Sequence, residues 1–398
     1  MVTGPDIIFF WVARMIMAGY EFMDDLPFKD VYFTSILRDE KGRKLSKSLG
    51  NSPDPLDLIE QYGADAIRFS ILLISPQGLD VLFSAERMEL GRNFMNKLWN
   101  AARFVKMNTP PPELLPEISE VKSEFKLPEK WIISRLNSTI MEVNRRLNKF
   151  QFNEAVKVIY DFTWSDYCDW MIEISKISFY GEDIKRKKCF QVVSVSVLKQ
   201  ILCLLHPFAP FITEELWHQI YDEGEGDIIL EKWPDYNKNE VDEDAQQMMD
   251  ILKEIINSVR SVRNRMGVPP SKKADLIVRT ENEEFFKNYQ QIIQSLGSIN
   301  NITIGSSIQK PPHSATIVVR EMEIFIPLEG LIDIDLERTR LERRKEELTG
   351  HYESALKTIN SKSFLEKAPV SVVENKKKKL TEMNSELEKL VSNLEMLN

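Results

Sequence analysis

The sequence predicts a mostly α-helical chain that opens on a short α/β segment, passes through a small α/β module and closes on a helical hairpin. Three observations carry that prediction. Apolar residues recur at helical spacing almost without interruption from Asp54 to about residue 240. Strand composition is confined to Val31 to Leu37, Ala274 to Arg279 and Ile317 to Ile326. Leu380, Met383, Leu387, Leu390, Leu394 and Leu397 alternate at spacings of three and four, which is the seam of a coiled coil.

Length and composition set the limits. A chain of 398 residues exceeds what one core usually supports, so about two to four domains are expected. With 43% hydrophobic and 28% charged residues it has the balance of a soluble globular protein. A net charge of -9 argues against polyanion binding by the whole surface and confines any nucleic-acid contact to local basic patches. Cys168, Cys189 and Cys203 form no Cys-x-x-Cys pair, so neither a disulfide framework nor a zinc knuckle is indicated, and a reducing compartment fits. His206, His218, His313 and His351 are scattered and read as structural or surface residues. The apolar run Ile7 to Ala13 is too short to span a bilayer.

Residues 5 to 20 read as a buried helix opened by Pro5 and stopped at Gly19. Ile7 and Trp11, four apart, share a face and either wall a small apolar cavity or are core. Val31 to Leu37 is a strand of a parallel sheet, and it delivers the turn Arg38 to Gly42 and then Lys44-Leu45-Ser46-Lys47-Ser48. Two ammonium groups three positions apart, between Gly42 and Gly50, can converge on a polyphosphate while the hydroxyls of Ser46 and Ser48 add donors. A solvated, serine-rich basic turn fits those five residues equally well.

Beyond the loop, a periodic segment runs from Ser84 to Met107, and Lys97, Asn100, Arg103 and Phe104 fall on one of its faces. Cations beside a ring can pair with phosphates and stack an unpaired base; the alternative is a helix whose charges face water and whose Phe is core. The prolines from Pro110 to Pro128 mark a connection. Helices follow over Trp131 to Leu147, Phe152 to Ser178 and Phe190 to Leu205, and another starts at Pro207 to Phe211. Asp166 and Asp169 lie in an aromatic stretch that packs the bundle, and they form no persuasive acid/base pair. After an acidic linker at Glu240 to Asp244, a helix is expected from Met249 to Arg265, then two strands with a helix between them. Arg260, Arg263, Arg265, Lys272 and Lys273 form a basic cluster that could meet an RNA backbone or simply be solvated. In the tail, Leu341, Leu348, Tyr352, Leu356 and Ile359 make a partner stripe, broken from the leucine seam by Asn360 to Ser371. A first tail helix of about 29 residues would reach roughly 43 Å. Lys376 to Lys379 gives the hairpin a basic edge, and a dimerisation arm is an equal alternative.

Lys44 to Ser48 resembles the KMSKS signature of class I aminoacyl-tRNA synthetases, with Leu45 where that family has Met, an apolar exchange of similar volume. Gly63-Ala64-Asp65-Ala66-Ile67-Arg68 resembles the helix that opens their anticodon-binding domain. Asp6 to Met15 is similar to the valine enzymes rather than to the isoleucine or leucine enzymes. The three stretches occur in the family's order, so the chain is identified as a member of the valyl-tRNA synthetases, from the end of the catalytic domain onward.

The resemblance implies four parts: residues 1 to 75, the C-terminal part of a Rossmann-type catalytic domain; 76 to 240, an anticodon-binding helical bundle; 241 to 332, a small α/β junction module; and 333 to 398, an antiparallel coiled-coil arm that braces tRNA. It implies catalytic roles for Lys44 and Lys47, ATP contacts from Lys44, Ser46, Lys47 and Ser48, and a valine pocket including Ile7 and Trp11. Lys97, Asn100, Arg103 and Phe104 would contact the anticodon of tRNA(Val). ATP would come with Mg²⁺, to which no carboxylate cluster can be assigned, and no zinc is expected. A cytoplasmic monomer without membrane contact follows. The family's His-x-Gly-His motif and editing domain have no counterpart here, which implies a fragment with an artificial start at Met1, unable by itself to activate valine. A stand-alone tRNA-binding module, a helical scaffold and a fragment of an isoleucine enzyme are the competing readings.

Overall fold

The computed structural model describes residues 1–220, 226–359 and 370–397. The chain divides into two compact units, Met1–Met249 and Asp250–Asn398.

The first unit opens differently from the single buried helix expected over residues 5 to 20. A 3-10 turn at Pro5–Ile7 runs into a π-helical turn at Ile8–Val12 and then into α1, Ala13–Met23. Gly19 does not end this helix. A Cβ there would meet the Asp25 carbonyl oxygen at 2.7 Å, so glycine serves the close return of the chain. The helix ends instead at Asp24, whose left-handed backbone (φ 49°) lets its N–H cap the Gly19 carbonyl. No residue of α1 is buried, and in the turn before it Val12 alone is.

The strand expected over Val31 to Leu37 is two short ones, because its two ends pair with different partners. β1 (Val2–Thr3) pairs in parallel with β2 (Tyr32–Phe33), and β3 (Leu37–Arg38) pairs in parallel with β4 (Val81–Leu82). Between them Ser35 donates its hydroxyl to the Pro76 carbonyl. α2 (Pro55–Tyr62) carries Pro at its first turn, and the Asp54 carboxylate accepts from the Leu56 N–H. Gly63 (φ 90°) separates it from α3 (Ala64–Ile74).

The bundle is helical, as its periodicity predicts. It comprises α4 (Met88–Asn108), α5 (Ile118–Val121), α6 (Leu127–Leu147), α7 (Phe152–Asp161), a π-helical stretch (Phe162–Met171), α8 (Ile172–Phe179), α9 (Ile184–Leu205) and α10 (Pro210–Ile220). Trp131, Phe162, Tyr167, Leu198 and Trp217 are fully enclosed. α3 joins this core through Phe69, which stacks on Phe94 with ring centroids 4.7 Å apart. It is held on the far side by the buried Asp65, whose carboxylate accepts from the Phe211 and Ile212 N–H groups at the start of α10. α9 is long and apolar enough to cross a membrane, yet most of its surface is buried within the bundle. One charge pair lies inside: Glu129 is completely enclosed and meets Arg186. Burial raises the Glu129 carboxyl above its ordinary range, and the guanidinium opposes that rise.

α11 (Glu243–Arg265) begins six residues ahead of the expected Met249, inside what read as a linker. In the second unit the expected strand Ile317 to Ile326 is a hairpin, β7 (Ser314–Val319) and β8 (Met322–Pro327), turned at Arg320 with φ 54°. β5 (Ala274–Arg279), α12 (Glu283–Gly297) and an unforeseen strand, β6 (Ile299–Gly305), complete it. The sheet order is β6-β5-β8-β7, with β5 and β6 parallel and the other pairs antiparallel. β6 escaped notice because Asn300 and Asn301 sit exposed in it, where strand composition is weak.

The tail forms α13 (Ile334–Ile359) and α14 (Val370–Met396). Leu341, Leu348 and Ile359 are buried with Leu380, Leu390 and Leu397, while Leu356 stays 38% exposed. Arg344 bonds Glu386 at 2.9 Å and Arg338 bonds the Leu397 carbonyl at 2.9 Å, which makes the two helices antiparallel. The break expected over Asn360 to Ser371 lies, for residues 360–369, outside the described residues, and Val370 and Ser371 are already helical. With 26 residues, α13 reaches about 39 Å.

Candidate functional site

The lysine loop is braced from within. Asp39, at the turn before it, accepts from the Lys41 and Arg43 N–H groups at 3.0 and 2.8 Å and from the Arg43 guanidinium. Asn51, at the far end, donates to Asp39 Oδ2 at 2.9 Å and accepts from the Ser46 N–H at 2.9 Å. One side chain therefore ties both ends of the loop together. Hydrogen bonds from Asn51 and from Arg43 hold the Asp39 carboxyl far below the usual carboxylate range.

Within this brace the two lysines differ. Lys44 Nζ meets Asp6 Oδ2 at 2.7 Å, and that contact lowers the Asp6 carboxyl. Lys47 starts a 3-10 turn closed by Gly50 (φ 63°), is exposed, and has no ion-pair partner among the described residues. Ser46 and Ser48 share a hydroxyl–hydroxyl hydrogen bond of 2.7 Å. The loop thus lies against Asp6, the neighbour of Ile7. Ile7 and Trp11 themselves are 37% and 55% exposed, so no pocket wall is closed around them among the described residues. Ile7 has φ -115° and ψ 19° at the junction of the two turns, outside the regular helix that the four-residue spacing assumed.

On α4 the four expected residues divide in two. Asn100 and Arg103 are exposed. Lys97 is half-buried, ion-paired with Asp169 and 3.8 Å above the Trp164 ring, which itself stacks on Tyr160. Phe104 is half-buried against Phe179, ring centroids 5.7 Å apart, with Lys176 Nζ 5.7 Å from its centre. Trp164, Asp169 and Lys176 thus belong to this face, to which the sequence did not assign them. Trp164 and Asp169 are five apart, and the π-helical stretch carries that spacing. Asp166 is engaged in the same structural manner, by Arg135 at 2.9 Å.

Three members of the second unit's basic cluster bond the backbone. Arg263 is 7% exposed and donates to the Pro269 and Lys272 carbonyls, Arg260 donates to the Leu296 carbonyl, and Lys272 donates to Gly330 and Leu331. Carbonyls at helix ends and turns lack intrahelical partners, and these cations supply them. Arg265 and Lys273 remain exposed. Burial pushes Cys168 up to about 12 and Cys203 up to about 11, so neither offers a thiolate. His218, read as a structural or surface residue, lies 3.1 Å from Glu214 and 3.3 Å from Asp227.

Comparison with known proteins adds three matches to family models. Residues 1–84 match "tRNA synthetases class I (I, L, M and V)", residues 129–280 match "Anticodon-binding domain of tRNA ligase", and residues 333–398 match "Valyl tRNA synthetase tRNA binding arm". Among curated relatives, a valine–tRNA ligase of Oceanobacillus iheyensis is 43% identical over 382 residues, 95% of this chain and 43% of the relative. One of Chlorobaculum tepidum is 42% identical over 409 residues, covering 100% and 45% respectively, and one of Aquifex aeolicus is 40% identical over 417 residues, covering 100% and 35%. The chain spans less than half the length of these relatives.

Proposed function

Because the chain belongs to the valyl-tRNA synthetase family and carries its C-terminal portion, we propose that it supplies the lysine loop and the tRNA-holding parts of an enzyme that activates valine with ATP and transfers it to tRNA(Val). The observation that supports this most is the seat of the loop. Lys44 reaches Asp6, beside Ile7, so the cations lie next to the segment assigned to valine. As the valine carboxylate attacks the α-phosphorus, negative charge grows on the departing pyrophosphate. Lys44 and Lys47, with Ser46 and Ser48, stabilise it electrostatically and accept no proton. Mg²⁺ accompanies the ATP as part of the substrate. Ile7 and Trp11 present apolar surface that suits a branched side chain without hydrogen-bonding groups.

The division proposed is residues 1 to 75 for the catalytic remnant, 76 to 240 for the anticodon bundle, 241 to 332 for the junction and 333 to 398 for the arm. Lys97, Asn100, Arg103 and Phe104 face the anticodon, and the protein works as a cytoplasmic monomer.

The test is a pair of measurements on the purified chain. Titration with tRNA(Val) and a noncognate tRNA across salt concentrations should give tighter, salt-weakened binding of the cognate species. Valine-dependent pyrophosphate exchange should be absent. Salt-insensitive or equal binding of both tRNAs overturns the RNA assignment, and clear exchange overturns the reading of the chain as an incomplete catalyst.

A further inference from the structure

The two lysines of the loop are chemically alike but sit in different electrostatic states, and the difference is a single carboxylate. Asp6 Oδ2 lies 2.7 Å from Lys44 Nζ, while no carboxylate among the described residues pairs with Lys47, three residues on. The backbone around Lys44 is fixed as well: Asn51 Nδ2 donates to the Lys44 carbonyl at 3.3 Å, and Lys44 forms a bridge to Arg38. Lys47, in contrast, rides on a short turn whose hydroxyl pair, Ser46 and Ser48, bond to each other and to no other group among the described residues.

We propose that Asp6 is a displaceable counter-ion for Lys44: it parks this ammonium beside the nucleotide site when no anion is bound, and a polyphosphate oxygen must replace it before Lys44 can engage. Asp6 is thus a positioning residue that acts through Lys44, and Lys47 makes the first contact. This rests on the reading of the loop as a polyphosphate site. The chemistry permits the exchange. Lys44 and Asp6 have side chains 59% and 47% exposed, so the pair is hydrated and screened. An ion pair so exposed shifts an equilibrium by no more than about fivefold, whereas a polyphosphate brings several negative charges to both lysines at once. Asp6 therefore aligns Lys44 without locking it. A carboxylate left near the incoming phosphate also repels it, so removing the Asp6 charge favours binding.

Inorganic tripolyphosphate is a suitable probe, since it needs neither a nucleoside pocket nor valine. It is titrated into the whole chain at low salt, with the lysine Nζ and loop amide resonances followed by NMR. For the wild type, the Lys47 signals should shift at lower ligand concentration than those of Lys44. Asp6→Asn should tighten binding about two- to fivefold and bring the two sets of shifts into coincidence, and the gain should vanish in the Asp6→Asn/Lys44→Ala double variant. Lys47→Ala should lose most of the affinity. If the wild type binds through the loop but Asp6→Asn leaves the affinity unchanged or weakens it, the counter-ion role is wrong and the loop assignment stands. If neither the wild type nor Asp6→Asn shows shifts at Lys44 or Lys47, the loop assignment fails and takes this inference with it.

Discussion

α1 and α9 are both rich in apolar residues, and they meet opposite fates. α9 buries 13 of its 22 residues, from Cys189 to Leu205, whereas α1 buries none of its 11 and exposes Met17, Tyr20, Phe22 and Met23 by more than half. The difference lies in what surrounds each helix. α9 packs among α4, α6, α8 and α10, so its turns from Cys189 onward find apolar partners. α1 rests mainly on the π-helical turn before it and has an open face. An apolar face gains stability only when another surface removes it from water.

Three substitutions probe the contrast, the first with the largest effect. Leu198→Ala on α9 removes a fully enclosed side chain and leaves a cavity, so urea unfolding of the chain should lose about 2–5 kcal/mol. Gly91→Ala tests how tightly α3 and α4 approach where the bundle begins. A Cβ there would meet the Ala66 carbonyl oxygen at 2.2 Å and Ser70 Oγ at 2.5 Å, and that hydroxyl also receives the Gly91 N–H. Backbone must shift, at about 1–3 kcal/mol in the same experiment. Trp11→Ala, at a 55% exposed position in the turn before α1, should change stability by no more than about 0.5 kcal/mol. A loss at Trp11 as large as that at Leu198 would mean that the N-terminal face is covered in solution and that the contrast is false.

The legibility of the chain follows the same line. The helices of the bundle and the leucine seam could be read because each repeats within a few residues. The errors arose where pairing decided the outcome. Val31 to Leu37 looks like one strand, but its ends pair with β1 and β4 separately. Ile317 to Ile326 looks like another, yet Arg320 turns it back on itself. Arg260, Arg263 and Lys272, which as a basic cluster suited either an RNA backbone or solvent, bond backbone carbonyls instead. On α4, Lys97 meets Trp164 and Asp169 of a π-helical stretch some 70 residues away, whose five-residue spacing helical periodicity does not show.

By itself the sequence determined the helical periods, the loop bounded by Gly42 and Gly50 and the antiparallel helices of the tail, since propensity and hydrophobic spacing act over a turn or two of chain. Only the tertiary structure decided that Asp6 holds Lys44, that Asp65 caps α10, that Glu129 meets Arg186 inside the bundle and that α1 stays bare. Those outcomes depend on which groups long-range packing brings within about 3 Å, and charge pairing, desolvation and burial are properties of that neighbourhood rather than of any stretch of residues.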